Sequence, residues 1–90
     1  MVVEKKLMIK HKQGLHARPA ALFVQIANKF DCNISVKKGS QEVNGKSIMG
    51  ILMLAAETGS QILIKADGKD AVKAVEELEK LLSGEIFGTK

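Results

Sequence analysis

The run Gly14-Leu15-His16-Ala17-Arg18-Pro19-Ala20 puts an imidazole, a guanidinium and a proline within four residues of one another. Proline has no N–H to lose in a first helical turn and its fixed φ is already helical, so a helix starts within a residue or two of His16. Gly14 lets the incoming loop turn at low steric cost. The first-turn N–H groups, including those of Ala17 and Arg18, then converge with the Arg18 fork on a place suited to a phosphoryl group. The positive end of the helix disfavours imidazolium, which holds His16 below the ordinary histidine range and keeps it neutral as a nucleophile. The same field stabilises a phosphoryl group once it is attached. His11 has no comparable neighbours and reads as a surface histidine.

A second stretch with chemical potential is Ser47 followed by Ile48-Met49-Gly50-Ile51-Leu52-Met53-Leu54-Ala55-Ala56. Serine is a favoured helix N-cap. The helix after it is apolar on nearly every side, yet a short helix on a single-layer sheet buries only one face. Some of Ile48, Met49, Leu52 and Met53 must therefore be exposed, which reads as a protein-docking patch. A phosphate on Ser47 would bring about two negative charges to the rim of that patch, a means of switching partners.

These residues need elements to hold them. Alternation predicts strands over Val3 to Lys10, Asn33 to Lys37, Gln41 to Val43 and Gln61 to Lys65. Helical spacing of apolar residues predicts helices from about Ala17 to Phe30, after Ser47, and from about Asp70 to Ser83, with Gly84 as a C-terminal cap. Lys38-Gly39-Ser40 and Asp67-Gly68 read as turns. The order β-α-β-β-α-β-α lacks the strict strand and helix alternation of a parallel sheet. It predicts an α+β, open-faced two-layer sandwich, with helices on one face of an antiparallel sheet and Lys6, Lys10, Lys37 and Lys65 on the wetter strand positions.

Ninety residues hold one domain, 1–90, with a modest core. Hydrophobic residues at 46% with a single proline argue against disorder. The net charge of +4 favours acidic partners without choosing among them. With no Trp or Tyr and only three Phe, the chain offers few stacking platforms for nucleic acid. No apolar span of about 20 residues and no leader of the signal-peptide kind is present, so a cytoplasmic protein without membrane attachment is expected. The lone Cys32 cannot form an internal disulfide and reads as a small core residue. No glycine-rich phosphate loop, paired catalytic carboxylates or metal cluster occurs, and neither metal nor cofactor is expected.

The two motifs resemble those of the HPr family, the histidine-containing phosphocarriers of the bacterial phosphoenolpyruvate:sugar phosphotransferase system. Gly14 to Ala20 is similar to the family's active-site motif, and Lys46-Ser47-Ile48-Met49-Gly50 to its regulatory-serine motif. The resemblance covers essentially the whole chain. It implies four antiparallel strands and three helices. It also implies that His16 accepts a phosphoryl group on Nδ1 from phosphorylated enzyme I and passes it to enzyme II A domains, with Arg18 steadying the phosphohistidine. Ser47 would be the target of the ATP-dependent HPr kinase/phosphorylase and, once phosphorylated, favour catabolite control protein A and hinder phosphorylation of His16. Leu15, Ala20, Ile48, Met49 and Leu52 would form the partner-binding surface of a monomer that carries phosphoryl groups and is not itself a turnover enzyme. Gln13 departs from the short polar residue common at that place. A close paralogue class keeps the serine and lacks the histidine, and the presence of His16 argues against it. The rival reading is a purely regulatory module that engages a transcription factor through the Ser47 helix. A small basic nucleic-acid binder is a weaker third.

Overall fold

The computed structural model describes residues 1–10 and 17–83. Its elements are β1 (Val2–Met8), α1 (Ala17–Ala27), β2 (Cys32–Lys38), β3 (Gln41–Asn44), α2 (Ile48–Leu54), β4 (Gln61–Gly68) and α3 (Ala71–Leu82). The four strands form one sheet in the order β1-β4-β2-β3, antiparallel at every pairing. This is the open-faced α+β sandwich that the order of elements predicts.

Period two sorts the strand residues between the layers. Ile34 and Val36 of β2 and Ile62, Ile64 and Ala66 of β4 are buried, and their register places Val36 beside Ile64 and Ile34 beside Ala66. Lys6, Lys37 and Lys65 fall on the opposite, exposed side. The helices supply the other half of the core through Ala20, Phe23 and Ala27 of α1, Ile51 and Leu54 of α2, and Ala71, Ala74, Val75, Leu78, Leu81 and Leu82 of α3. Cys32 is buried among them, as its small apolar character suggested. Burial pushes its thiol above the ordinary range, with the nearby Lys46 charge opposing and Asp70, Asp31 and Asp67 reinforcing the shift.

Several boundaries differ from the sequence pattern for local reasons. The strand β1 stops at Met8, although Ile9 remains fully buried. The Ile9 amide donates to the Ser60 carbonyl and its own carbonyl accepts from Gly59, while the Lys10 amide turns away to the Leu82 carbonyl at the end of α3. The helix α1 ends at Ala27, not Phe30, because Lys29 and Phe30 donate to carbonyls three residues back and so tighten the last turn. Phe30 still packs on the core.

The Asp67-Gly68 pair belongs to β4 rather than to a turn. Gly68 has φ +147°, and a Cβ there would sit 2.7 Å from the Cα of Cys32. Glycine is required because the central strand passes close to β2. The turn falls instead on Lys69 and Asp70. Asp70 Oδ2 accepts from the Asp31 amide at 2.8 Å, which joins the start of β2 to the start of α3. Gly84, read as a cap for α3, lies outside the described residues, and Ser83 caps the helix by donating its amide to the Glu79 carbonyl.

Candidate functional site

The first site is organised by the start of α1. Ala17 is its first helical residue, Arg18 is exposed, and Pro19 is buried beneath them. The proline fixes the backbone and anchors the first turn to the core, so the Ala17 and Arg18 amides precede the i to i−4 ladder on a rigid support. A helix N-terminus so placed favours an anion. His16 adjoins Ala17 in sequence but lies outside the described residues, as do Leu15, Gln13 and His11. Ala20 corrects one expectation: it is fully buried in the core cluster and presents nothing to a partner. On a helix, a residue three places after an exposed one returns to the same face, and Ala20 lies three after Ala17. Its methyl nevertheless falls against the hydrophobic layer with Phe23, one turn on.

The second site is α2. Ser47 has extended dihedrals, φ −111° and ψ 118°, and its Oγ accepts a hydrogen bond from the Gly50 amide at 3.1 Å. It is the N-cap that the sequence predicts. The helix turns Ile51 and Leu54 into the core and leaves Met49 and Met53 63% and 66% exposed, with Ile48 and Leu52 at the margin. A seven-residue helix on a sheet has only one sheltered side, so an apolar strip remains on its outer surface. Gly50 allows the close packing of this helix, since a Cβ there would lie 3.3 Å from the Asn44 carbonyl oxygen and from Val43 Cβ.

Polar side chains that the sequence did not single out hold α2 at its C-terminal end. Lys38 Nζ donates to the Ala55 carbonyl at 3.2 Å, and Gln41 Nε2 to the Met53 carbonyl at 3.2 Å. Both come from the hairpin joining β2 to β3. The signal available in the sequence was the absence of a C-cap glycine or a basic last turn for α2: the helix ends on Ala55 in a left-handed conformation, φ 51°. The Leu52 carbonyl is met locally by the Ala55 amide, and those of Met53 and Ala55 by groups distant in sequence. Among the described residues no cluster of His, Cys, Asp or Glu has the makings of a metal site. No helix among them is long and apolar enough to cross a membrane.

An exposed arginine on a proline-anchored helix start and a serine capping an exposed apolar helix are set into one small sandwich. A family model described as the PTS HPr component phosphorylation site matches residues 3–84. The chain belongs to the HPr family. Among relatives, the HPr-like protein Crh of Bacillus subtilis (strain 168) is 42% identical over 85 residues, covering 94% of this chain and 100% of its own. The crystal structure of a phosphocarrier protein HPr from Bacillus anthracis str. Ames superposes with a TM-score of 0.87 at 49% identity, covering 90% of this chain and 96% of that one. The structure of an HPr dimer from Thermoanaerobacter tengcongensis has a TM-score of 0.74 at 47% identity, covering 88% of this chain and 91% of that one. An HPr relative therefore exists as a dimer, and a monomeric state does not follow from membership of the HPr family.

Proposed function

We propose that the chain, acting as a single domain, is a working phosphocarrier in the cytoplasm: His16 takes a phosphoryl group on Nδ1 from phosphorylated enzyme I and delivers it to enzyme II A domains for sugar uptake. In this reading the chain is a substrate and product of its partners' reactions and not itself a turnover enzyme. The observation that carries it is the buried Pro19 beneath exposed Ala17 and Arg18, directly after His16 in the chain. That arrangement puts helix amides, a helix dipole and a guanidinium next in the chain to His16, groups whose charge favours an attached phosphoryl group. Arg18 steadies the charged adduct. No metal or cofactor enters this chemistry.

Ser47 is read as the site of regulatory phosphorylation by HPr kinase/phosphorylase. The strip formed by Ile48, Met49 and Leu52, with Leu15 beside His16, is read as the docking surface for enzyme I, enzyme II A domains and catabolite control protein A. A phosphate on Ser47 would add charge at the edge of this strip and so change which of them binds, the basis of catabolite repression. The likeness to Crh of Bacillus subtilis, described with its solution structure as a catabolite repression HPr, favours a second reading, a purely regulatory module.

Phosphorus NMR after incubation with enzyme I, magnesium and phosphoenolpyruvate tests the proposal. An acid-labile phosphohistidine signal in the wild type, lost in His16→Ala, is the expected result. No signal with an enzyme I active on another HPr overturns the carrier role and leaves the regulatory module, for which ATP-dependent phosphate on Ser47 is then the test.

A further inference from the structure

The turn that delivers Ser47 to the start of α2 is tied down at every residue. The Gly45 amide donates to the Ile34 carbonyl of β2 at 2.7 Å, and the Lys46 amide to Asn44 Oδ1 at 2.8 Å. The Ser47 amide donates to the Asn44 carbonyl at 3.2 Å. The Gly45 bond ties the turn to β2, and the other two set its local curve. A second anchor is Lys46, whose half-buried side chain crosses to the segment that follows α1 and donates through Nζ to the Phe30 carbonyl at 2.9 Å. Asn28 Nδ2 adds a longer bond to the Lys46 carbonyl at 3.4 Å while also holding the Val24 carbonyl at 2.9 Å.

We propose that Lys46 is a positioning residue for phosphorylation of Ser47: by clamping the Asn44 to Ser47 turn onto the segment that follows α1, it fixes the orientation of the Ser47 hydroxyl. This inference rests on the reading of Ser47 as a phosphorylation site. In the reaction a bond forms between Ser47 Oγ and the γ-phosphorus of ATP as the bond from that phosphorus to the bridging oxygen breaks. The hydroxyl proton passes to a base of the kinase, and ADP leaves. Transfer of this kind depends on the nucleophile being held in line, and small misplacements of the attacking oxygen are costly. The acceptor bond from Gly50 fixes Oγ relative to α2, and the Lys46 ammonium on the Phe30 carbonyl fixes the backbone from which Oγ springs.

Lys46 also offers the kinase a charge, and the two roles differ in what they move. Initial rates of ATP-dependent phosphate incorporation into Ser47 are measured with HPr kinase on the intact wild type, Lys46→Met, Lys46→Arg and Asn28→Ala, alongside the amide shift of Gly50 in nitrogen-15 spectra. The expected result for Lys46→Met is a kcat lower by about tenfold or more, KM within about twofold of wild type, and a displaced Gly50 amide signal. Lys46→Arg, which still reaches a carbonyl, recovers most of kcat, and Asn28→Ala lowers kcat without altering charge. A raised KM with unchanged kcat in Lys46→Met overturns the proposal in favour of charge docking, as does a Gly50 signal that stays in place. Equal kcat and KM in wild type and Lys46→Met overturn it while leaving Ser47 as a phosphorylation site. A wild type that takes no phosphate from a kinase active on another HPr overturns the reading of Ser47 and the inference together.

Discussion

Ala55 is the one described non-glycine residue with a positive φ, 51°, and replacing it tests how α2 is stopped. Its amide donates to the Leu52 carbonyl at 3.1 Å and its carbonyl accepts from Lys38, so the left-handed conformation is held by bonds at both sides of the residue. For an L-residue that conformation costs roughly 1–2 kcal/mol. Glycine removes the cost but loses about 0.4–1 kcal/mol by loosening the unfolded chain. Ala55 is exposed, so its methyl gives up little packing. Taking central values, Ala55→Gly is expected to stabilise the protein by about 0.8 kcal/mol, the difference of the two. For a domain of this size that raises the melting temperature by roughly 3–6 °C. Ala55→Val goes the other way, since a branched side chain tolerates positive φ less well. Thermal and urea unfolding followed by circular dichroism give both numbers. A glycine variant no more stable than wild type, with a valine variant no less stable, would refute the claim that Ala55 is strained in its left-handed conformation.

Other expectations concern the core, the cap and the thiol. Phe23→Ala, at a fully buried position on α1, should cost about 3–5 kcal/mol by urea unfolding. Ser47→Ala removes the bond to the Gly50 amide and should cost about 1 kcal/mol, with faster hydrogen exchange at Gly50. Gly68→Ala places a methyl against the Cys32 backbone and should lower the melting temperature more than Gly39→Ala, where a Cβ meets nothing within 4 Å although φ is also positive. Cys32 holds its proton more tightly folded than unfolded, so its contribution to stability is full below the unfolded pKa and declines as pH rises from that value toward the raised folded one. Cys32→Ser should flatten that alkaline decline in urea titrations; an unchanged slope assigns it to other groups. Ser47→Asp should slow phosphorylation of His16 by enzyme I most strongly at low salt, and rates independent of salt would remove charge as the cause.

Much of the fold was legible because the chain obeys simple periods. The alternation in Ile34 and Val36, and in Ile62 and Ile64, announces strands with one buried face, and Ala71, Val75, Leu78 and Leu82 announce a helix with one. The excess of apolar residues after Ser47 announced an exposed strip, because the area a short helix can hide is fixed by geometry. Pattern failed where one residue serves a partner far along the chain. Asp67-Gly68 has the composition of a turn, but Gly68 is glycine because the central strand nearly touches Cys32. Ala20 was placed among the contact residues by likeness alone, and the core took it.

The number and order of elements, the proline-anchored helix start after His16 and the serine cap of α2 follow from local sequence. Each depends on residues within a few positions of one another, where backbone sterics and local hydrogen bonding decide. Tertiary structure alone decided that β4 lies between β1 and β2, and that Lys46 reaches the Phe30 carbonyl. It also decided that Lys38 and Gln41 secure the last carbonyls of α2. A lysine ammonium and a carboxamide have many acceptors within reach of an unfolded chain. Which carbonyl each meets is set only when the packed layers bring one end of a helix beside one turn.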